Sequence, residues 1–108
     1  MMDFKLYQQM AKRTMPVDTH AGKLANFSIG LCEESGETVS HIKKHVFHGH
    51  GINIPAVEEE MGDVLWYLFN LATELGIDMS RVAELNHNKL FRRYPDGFDQ
   101  NKSINREL

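Results

Sequence analysis

Two long stretches with side chains repeating at alternating spacings of three and four, joined by a short glycine-rich segment, leave this chain few folds to choose from. Leu24, Ser28, Leu31, Ser35, Val39, Ile42 and Val46 form the first stripe, and Val57, Met61, Val64, Leu65, Leu68, Leu71, Ala72 and Leu75 the second. That spacing returns side chains to one face of an α-helix, whereas in a strand it would scatter them over both faces. Between the stripes, His48-Gly49-His50-Gly51-Ile52-Asn53 is rich in residues that tolerate positive φ and predicts a reversal of the chain. The first helix is expected from a cap at Asp18 or Thr19 to about Phe47, and the second from near Pro55 to a C-cap at Gly76. Together they make an antiparallel hairpin.

Shorter helices flank it. Phe4, Leu6, Tyr7, Met10 and Ala11 predict an amphipathic helix over 3–13, stopped by Thr14-Met15-Pro16. A fourth helix starts at Asp78 or Ser80, carries Val82, Leu85, Lys89, Leu90 and Arg93, and ends before Pro95 and Gly97. From Gln100 onward the chain is polar, and a loose tail is expected unless a partner subunit holds it. No strand-like alternation persists, so the fold class is all-α: a four- to five-helix bundle around the central hairpin, one domain over residues 1–108, completed by oligomerisation. The 42% hydrophobic and 25% charged content is that of a folded globular chain. With 12 basic against 15 acidic residues, nothing draws the protein to nucleic acid or to an anionic membrane. Cys32 is the only cysteine, which excludes an intrachain disulfide and suits a small core residue in a reducing compartment. The N-terminus lacks the apolar run of a signal peptide, and no segment approaches the roughly 18 unbroken apolar residues of a membrane span. A cytoplasmic location is the expectation.

Beside the apolar stripes run two acidic units of one form, Glu33-Glu34-Ser35-Gly36-Glu37 and Glu60-Met61-Gly62-Asp63. Residues three apart on a helix share a face, so Glu34 with Glu37 and Glu60 with Asp63 each project together, and the hairpin would bring the units opposite each other. Each exposed like-charge pair costs a few tenths of a kcal/mol, and more where several carboxylates converge out of water. A cation must compensate them, and magnesium, a hard ion that prefers oxygen ligands and substrate phosphate, is the natural one, with manganese as the substitute. Mid-helix glycine costs roughly 1 kcal/mol relative to alanine, so Gly36 and Gly62 are expected to permit close backbone approach or leave room for a ligand. Glu58 and Glu59 are read as decoration of a helix start.

Glu33-Glu34-Ser35-Gly36-Glu37 followed by Glu60-Met61-Gly62-Asp63 resembles the paired EExxE and ExxD motifs of MazG-type nucleoside triphosphate pyrophosphohydrolases. Asn86-His87-Asn88-Lys89-Leu90 and Arg92-Arg93-Tyr94-Pro95-Asp96-Gly97-Phe98 are similar to that family's C-terminal segments. The resemblance spans roughly residues 24 to 98. It implies an all-α enzyme that cleaves nucleoside triphosphates between the α and β phosphates, giving nucleoside monophosphate and pyrophosphate. By motif position Glu34, Glu37, Glu60 and Asp63 would be magnesium ligands, and Glu33 would order or help deprotonate the attacking water. Lys89 and Arg93, four apart on one helical face, would bind phosphate, with Asn86 donating to a phosphate or sugar oxygen. Lys43 and Lys44 are weaker candidates of the same kind. The resemblance also implies a homo-oligomer, a tetramer or else a dimer, in which neighbouring subunits complete the site. Phe27, Ile29 and Phe47, which fall off the main stripe, suggest a second buried face for that purpose.

Base recognition is not assigned: Trp66 is read as core, Tyr94 as packing the last helix, His48 and His50 as turn residues, and His41 as a neighbour of the acids. Two other readings stand beside the hydrolase. A di-iron or di-manganese carboxylate bundle would use Glu-x-x-His on two helices, but His41 is four after Glu37 and the Glu60 helix has no histidine. A non-enzymatic helical module would use the acidic face to bind a basic partner.

Overall fold

Every helix of this protein begins where a side-chain oxygen can take up an open backbone N–H. A computed structural model describes residues 1–106, which form α1 (Phe4–Lys12), α2 (His20–Phe47), α3 (Ile54–Glu74), α4 (Met79–Arg93) and α5 (Gln100–Ile104). Asp3, Thr19, Asn53, Asp78 and Asp99 cap them in turn, accepting from Leu6, Gly22, Ala56, Ser80 and Lys102. Each such cap stabilises its helix by about 1 kcal/mol. At the other end of α3, Gly76 takes φ +72°, the left-handed conformation that closes the helix. The expected polar tail instead contains α5, because Asp99 caps it; the last two residues of that tail lie outside the described range. No strand occurs among the described residues, and the fold is all-α. None of the described helices is long and apolar enough to cross a membrane.

The expected hairpin forms, α2 packing along α3. His20 Nδ1 meets Glu74 Oε1 at 2.8 Å, and Lys23 Nζ lies 3.8 Å from the same carboxylate. Phe27 packs edge-on to Trp66 with ring centroids 5.7 Å apart. Next comes Gly30 against the ring of Tyr67. Further on, His41 Nε2 stands 3.7 Å from Glu60 Oε1. Rising numbers on α2 meet falling numbers on α3, as antiparallel packing requires.

That register turns the mutual face of the hairpin onto the line of Gly30, Glu34 and His41 rather than onto the apolar stripe beside it. Val39 and Val46 of the first stripe and Met61 of the second are more than half exposed. The expectation that Phe27 serves a second, inter-subunit face is corrected: Phe27 is fully buried inside the protomer, whereas Ile29 and Phe47 are exposed. Cys32 is exposed too, not core, because it sits two residues from Gly30 and so projects away from α3.

The remaining elements close one end. Phe69, Ala72 and Met79 form a core against which Tyr7 and Leu68 pack, and Phe4 and Tyr7 meet Phe69 edge-on at 5.3 and 5.0 Å. Gln8 ties the elements together: its amide donates to Thr73 Oγ1 at 3.1 Å and Ile77 O at 2.8 Å, and its oxygen accepts from Met79 N at 3.0 Å. Asn70 is fully buried and donates to Ala11 O at 3.2 Å. α4 is held principally through α1. The radius of gyration is 17.1 Å, against roughly 13 Å for a compact chain of this length.

Gly30 is the position where only glycine fits, since a Cβ there would collide with the Tyr67 ring. Gly30→Ala is expected to cost about 1–3 kcal/mol by forcing the ring aside. A urea denaturation midpoint unchanged from wild type would show that the helices do not depend on this approach.

Candidate active site

The hairpin register sets α2 opposite the point on α3 where two acids stand one turn apart. Carboxylate oxygens of Glu34, Glu60 and Asp63 all lie within 4.8 Å of one another. Glu34 and Glu60 are half-buried and Asp63 is exposed, so the group opens to solvent on one side. Glu37 and Glu33 are exposed and stand outside this trio, although the charge of Glu33 acts on Glu34. Glu58 and Glu59 are exposed as well, and lie beyond the first turn because α3 begins at Ile54.

Crowding of like charges shows in the protonation of Glu34. Its carboxyl is pushed up from about 4.5 to about 7, first by a shared hydrogen bond with Glu60, then by desolvation and by the charges of Asp63, Glu60 and Glu33. Three oxygen donors converging around one point are the ligand set a hard divalent ion requires, so the residues present fit magnesium or manganese. A side chain at Gly36 or Gly62 would meet nothing from the facing helix within 4 Å, so neither serves close approach within the chain and both leave open space on their helices.

Two neighbours of the trio come from the fold. His41 faces Glu60 across the hairpin at 3.7 Å; the sequence placed it near the acids by its spacing from Glu37, but its observed partner is on the other helix. Tyr7 of α1 carried no signal at all. Its phenol is pushed up in pKa by burial first and then by the charge of Asp63. Trp66 packs as expected, edge-on to Phe27 and Tyr67, with its Nε1 donating to Thr14 Oγ1 at 2.7 Å. His50 closes the turn, its carbonyl 2.7 Å from His45 Nδ1.

The three α4 residues divide between two cavities. Lys89 and Arg93 line a cleft of about 890 Å³, and Asn86 lines an adjoining one of about 540 Å³ with Phe91, Tyr94 and Phe98. No ion pair joins these α4 residues to the acidic trio within the described protomer.

Acids on α2 and α3 followed by the α4 segment make an ordered set, and residues 24–98, which contain it, match the family model described as the MazG nucleotide pyrophosphohydrolase domain. The chain belongs to the MazG family. It is similar to the Gene 37 protein of Mycobacterium phage L5, 34% identical over 87 residues, which cover 77% of this chain and 76% of that protein. No solved structure matches it. As a MazG-family chain it carries a domain of nucleotide pyrophosphohydrolases, and the acids of α2 and α3 lie within the matched span.

The raised Glu34 pKa has a sign for stability. Between about 4.5 and about 7 the folded state holds a proton that the unfolded chain releases, so this contribution is full below that window and lost as pH rises through it. Metal-free protein in EDTA should therefore fall in melting temperature across the window more steeply than Glu34→Gln, which cannot ionise. Identical slopes for the two proteins would rule out the shared proton.

Proposed function

We propose that this protein is a magnesium-dependent nucleoside triphosphate pyrophosphohydrolase that cleaves ribo- or deoxyribonucleoside triphosphates between the α and β phosphates, releasing nucleoside monophosphate and pyrophosphate. Convergence of Glu34, Glu60 and Asp63 within 4.8 Å, inside a MazG-family domain, is the observation that carries the reading. Magnesium, when bound, would neutralise charge on the phosphates and acidify an attacking water. Glu34, Glu60 and Asp63 would hold it, with Glu37, one helical turn after Glu34, as a further ligand. Glu33, next to Glu34 in the chain, would order the attacking water or take its proton. Lys89 and Arg93 neutralise phosphate oxygens, and Asn86 donates to phosphate or sugar. Manganese supports the same ligand set.

We further propose that the protein works as a homo-oligomer, a tetramer or a dimer. The exposed line of Val39, Ile42, Val46, Met61 and Leu65 runs along both helices of the hairpin. Beside it, Ser35, Thr38, Met61 and Val64 line a shallow apolar cavity of about 220 Å³. Burial of such a face is favourable by about 25 cal/mol per Å² of apolar surface, and a second copy offers the same face in return. A neighbour also brings its α4 cations toward the acids, which α4 of the same protomer does not approach by any ion pair.

Incubation with each nucleoside triphosphate and Mg²⁺ should release pyrophosphate, with EDTA abolishing the release. Glu37→Gln and Asp63→Asn should each lower kcat by roughly a hundredfold or more, whereas Lys89→Ala should chiefly raise KM. Near-wild-type turnover in either acid variant would remove that residue from the ligand set, and an unchanged KM would remove Lys89 from the phosphate site. Light scattering should give a mass of two or four chains for wild type and a smaller one for Val39→Asp; a wild-type monomer would contradict the assembly.

A further inference from the structure

The cleft beside α4 is built by two elements, of which one lies past the end of the family match at residue 98. After α4, Gly97 takes φ +96° and its N–H donates to Tyr94 O at 3.2 Å, turning the chain sharply. Tyr94 and Phe98 stack across this turn with centroids 5.3 Å apart. Asp99 then starts α5, its carboxylate accepting from Lys102 N at 3.1 Å. The result sets α5, Asn105 and Arg106 near the end of α4, so that Lys89, Arg92, Arg93, Lys102 and Arg106 line one cleft of about 890 Å³ with two asparagines. Five of the chain's 12 lysines and arginines are gathered there, in a protein whose net charge is −3. Among the described residues no carboxylate lines the cleft and none of the five forms an ion pair.

Cations gathered without an anion repel one another, and an arrangement of this kind is satisfied by a ligand that brings several negative charges at once. Arginine presents paired N–H donors that match phosphate oxygens, and lysine adds a point charge. The volume is larger than a single phosphate needs and lies within the usual range for a small-molecule site. We propose that α5 and Arg106 complete a polyphosphate-binding cleft, in which Lys102 and Arg106 act with Lys89, Arg92 and Arg93 to hold a chain of phosphates. That chain is either the triphosphate of the substrate, an assignment that rests on the hydrolase reading, or a separate polyphosphorylated anion.

The test is calorimetric titration of the full-length protein in EDTA, so that the acids contribute nothing through a metal, with inorganic tripolyphosphate as the probe. Wild type should bind it and bind inorganic phosphate far more weakly. Lys102→Ala/Arg106→Ala should weaken tripolyphosphate by at least about tenfold, while Lys5→Ala/Lys12→Ala on α1 leaves it unchanged. The charge-retaining Lys102→Arg/Arg106→Lys should keep most of the affinity, which separates lost charge from a disordered α5. A raised KM for nucleoside triphosphate with unchanged kcat in the alanine pair assigns the cleft to the substrate; an unchanged KM alongside lost tripolyphosphate binding assigns it to a second anion. Tripolyphosphate binding by a protein that turns over no nucleotide would leave the cleft standing and the hydrolase reading refuted. No binding by wild type, equal binding by the alanine pair, or tight binding of a short single-stranded RNA in place of tripolyphosphate would overturn the proposal.

Discussion

The close approach of α2 to α3 at Gly30 is the constraint on which the rest of the structure depends. With no side chain at that position the Tyr67 ring lies directly against the α2 backbone. This contact, with Phe27 on Trp66 and Glu74 on His20, fixes the register of two long helices. Register then decides which residues meet farther along, and what meets is Glu34 with Glu60 and Asp63. An interaction that is unfavourable by itself, three carboxylates within 4.8 Å, is imposed by favourable packing one to two turns away. The upward push on the Glu34 carboxyl, from its hydrogen bond with Glu60 and the neighbouring charges, is the sign of that imposition.

A second consequence of the same register lies on the outside. Because the hairpin joins along the line of Gly30, Glu34 and His41, part of each apolar stripe, Val39, Ile42 and Val46 on α2 and Met61 and Leu65 on α3, is left exposed, while Val57 and Ala72 are buried. The chain is spread, with a radius of gyration of 17.1 Å, and its buried side chains are few: Phe69, Ala72 and Met79 cluster at one end, with Phe27 and Val57 buried farther along the hairpin. Exposed aliphatic residues at this density are a costly distribution for a surface that meets only water.

Much of this was legible in the sequence, and the limits have physical causes. Helix positions followed from spacing and caps: Thr19, Asp78 and Gly76 were read in their observed roles, because capping is a local interaction. The family was legible because the acids and the Asn86 to Phe98 segment keep a fixed order along the chain. The facing of the acidic units across the hairpin was legible too, because both units repeat with the helix. What sequence periodicity left open is the fate of the stripe of Val39, Ile42 and Val46, which signals burial without saying against what. Cys32 was misplaced because a lone cysteine is read as core by its residue type, whereas its position on α2 turns it away from α3. Tyr7 was missed because its relation to Asp63 is purely tertiary, across more than fifty residues of chain. α5 was read as loose because a five-residue helix has no periodicity to detect, although its cap, Asp99, was in view.

The account stands on one claim, that the register of α2 against α3 exists to place a divalent cation between Glu34, Glu60 and Asp63. Anomalous diffraction from crystals of the protein grown with Mn²⁺ locates the ion directly. The predicted result is a peak within coordination distance of all three carboxylates. Manganese bound elsewhere on the chain, with that point between the helices empty, would contradict it.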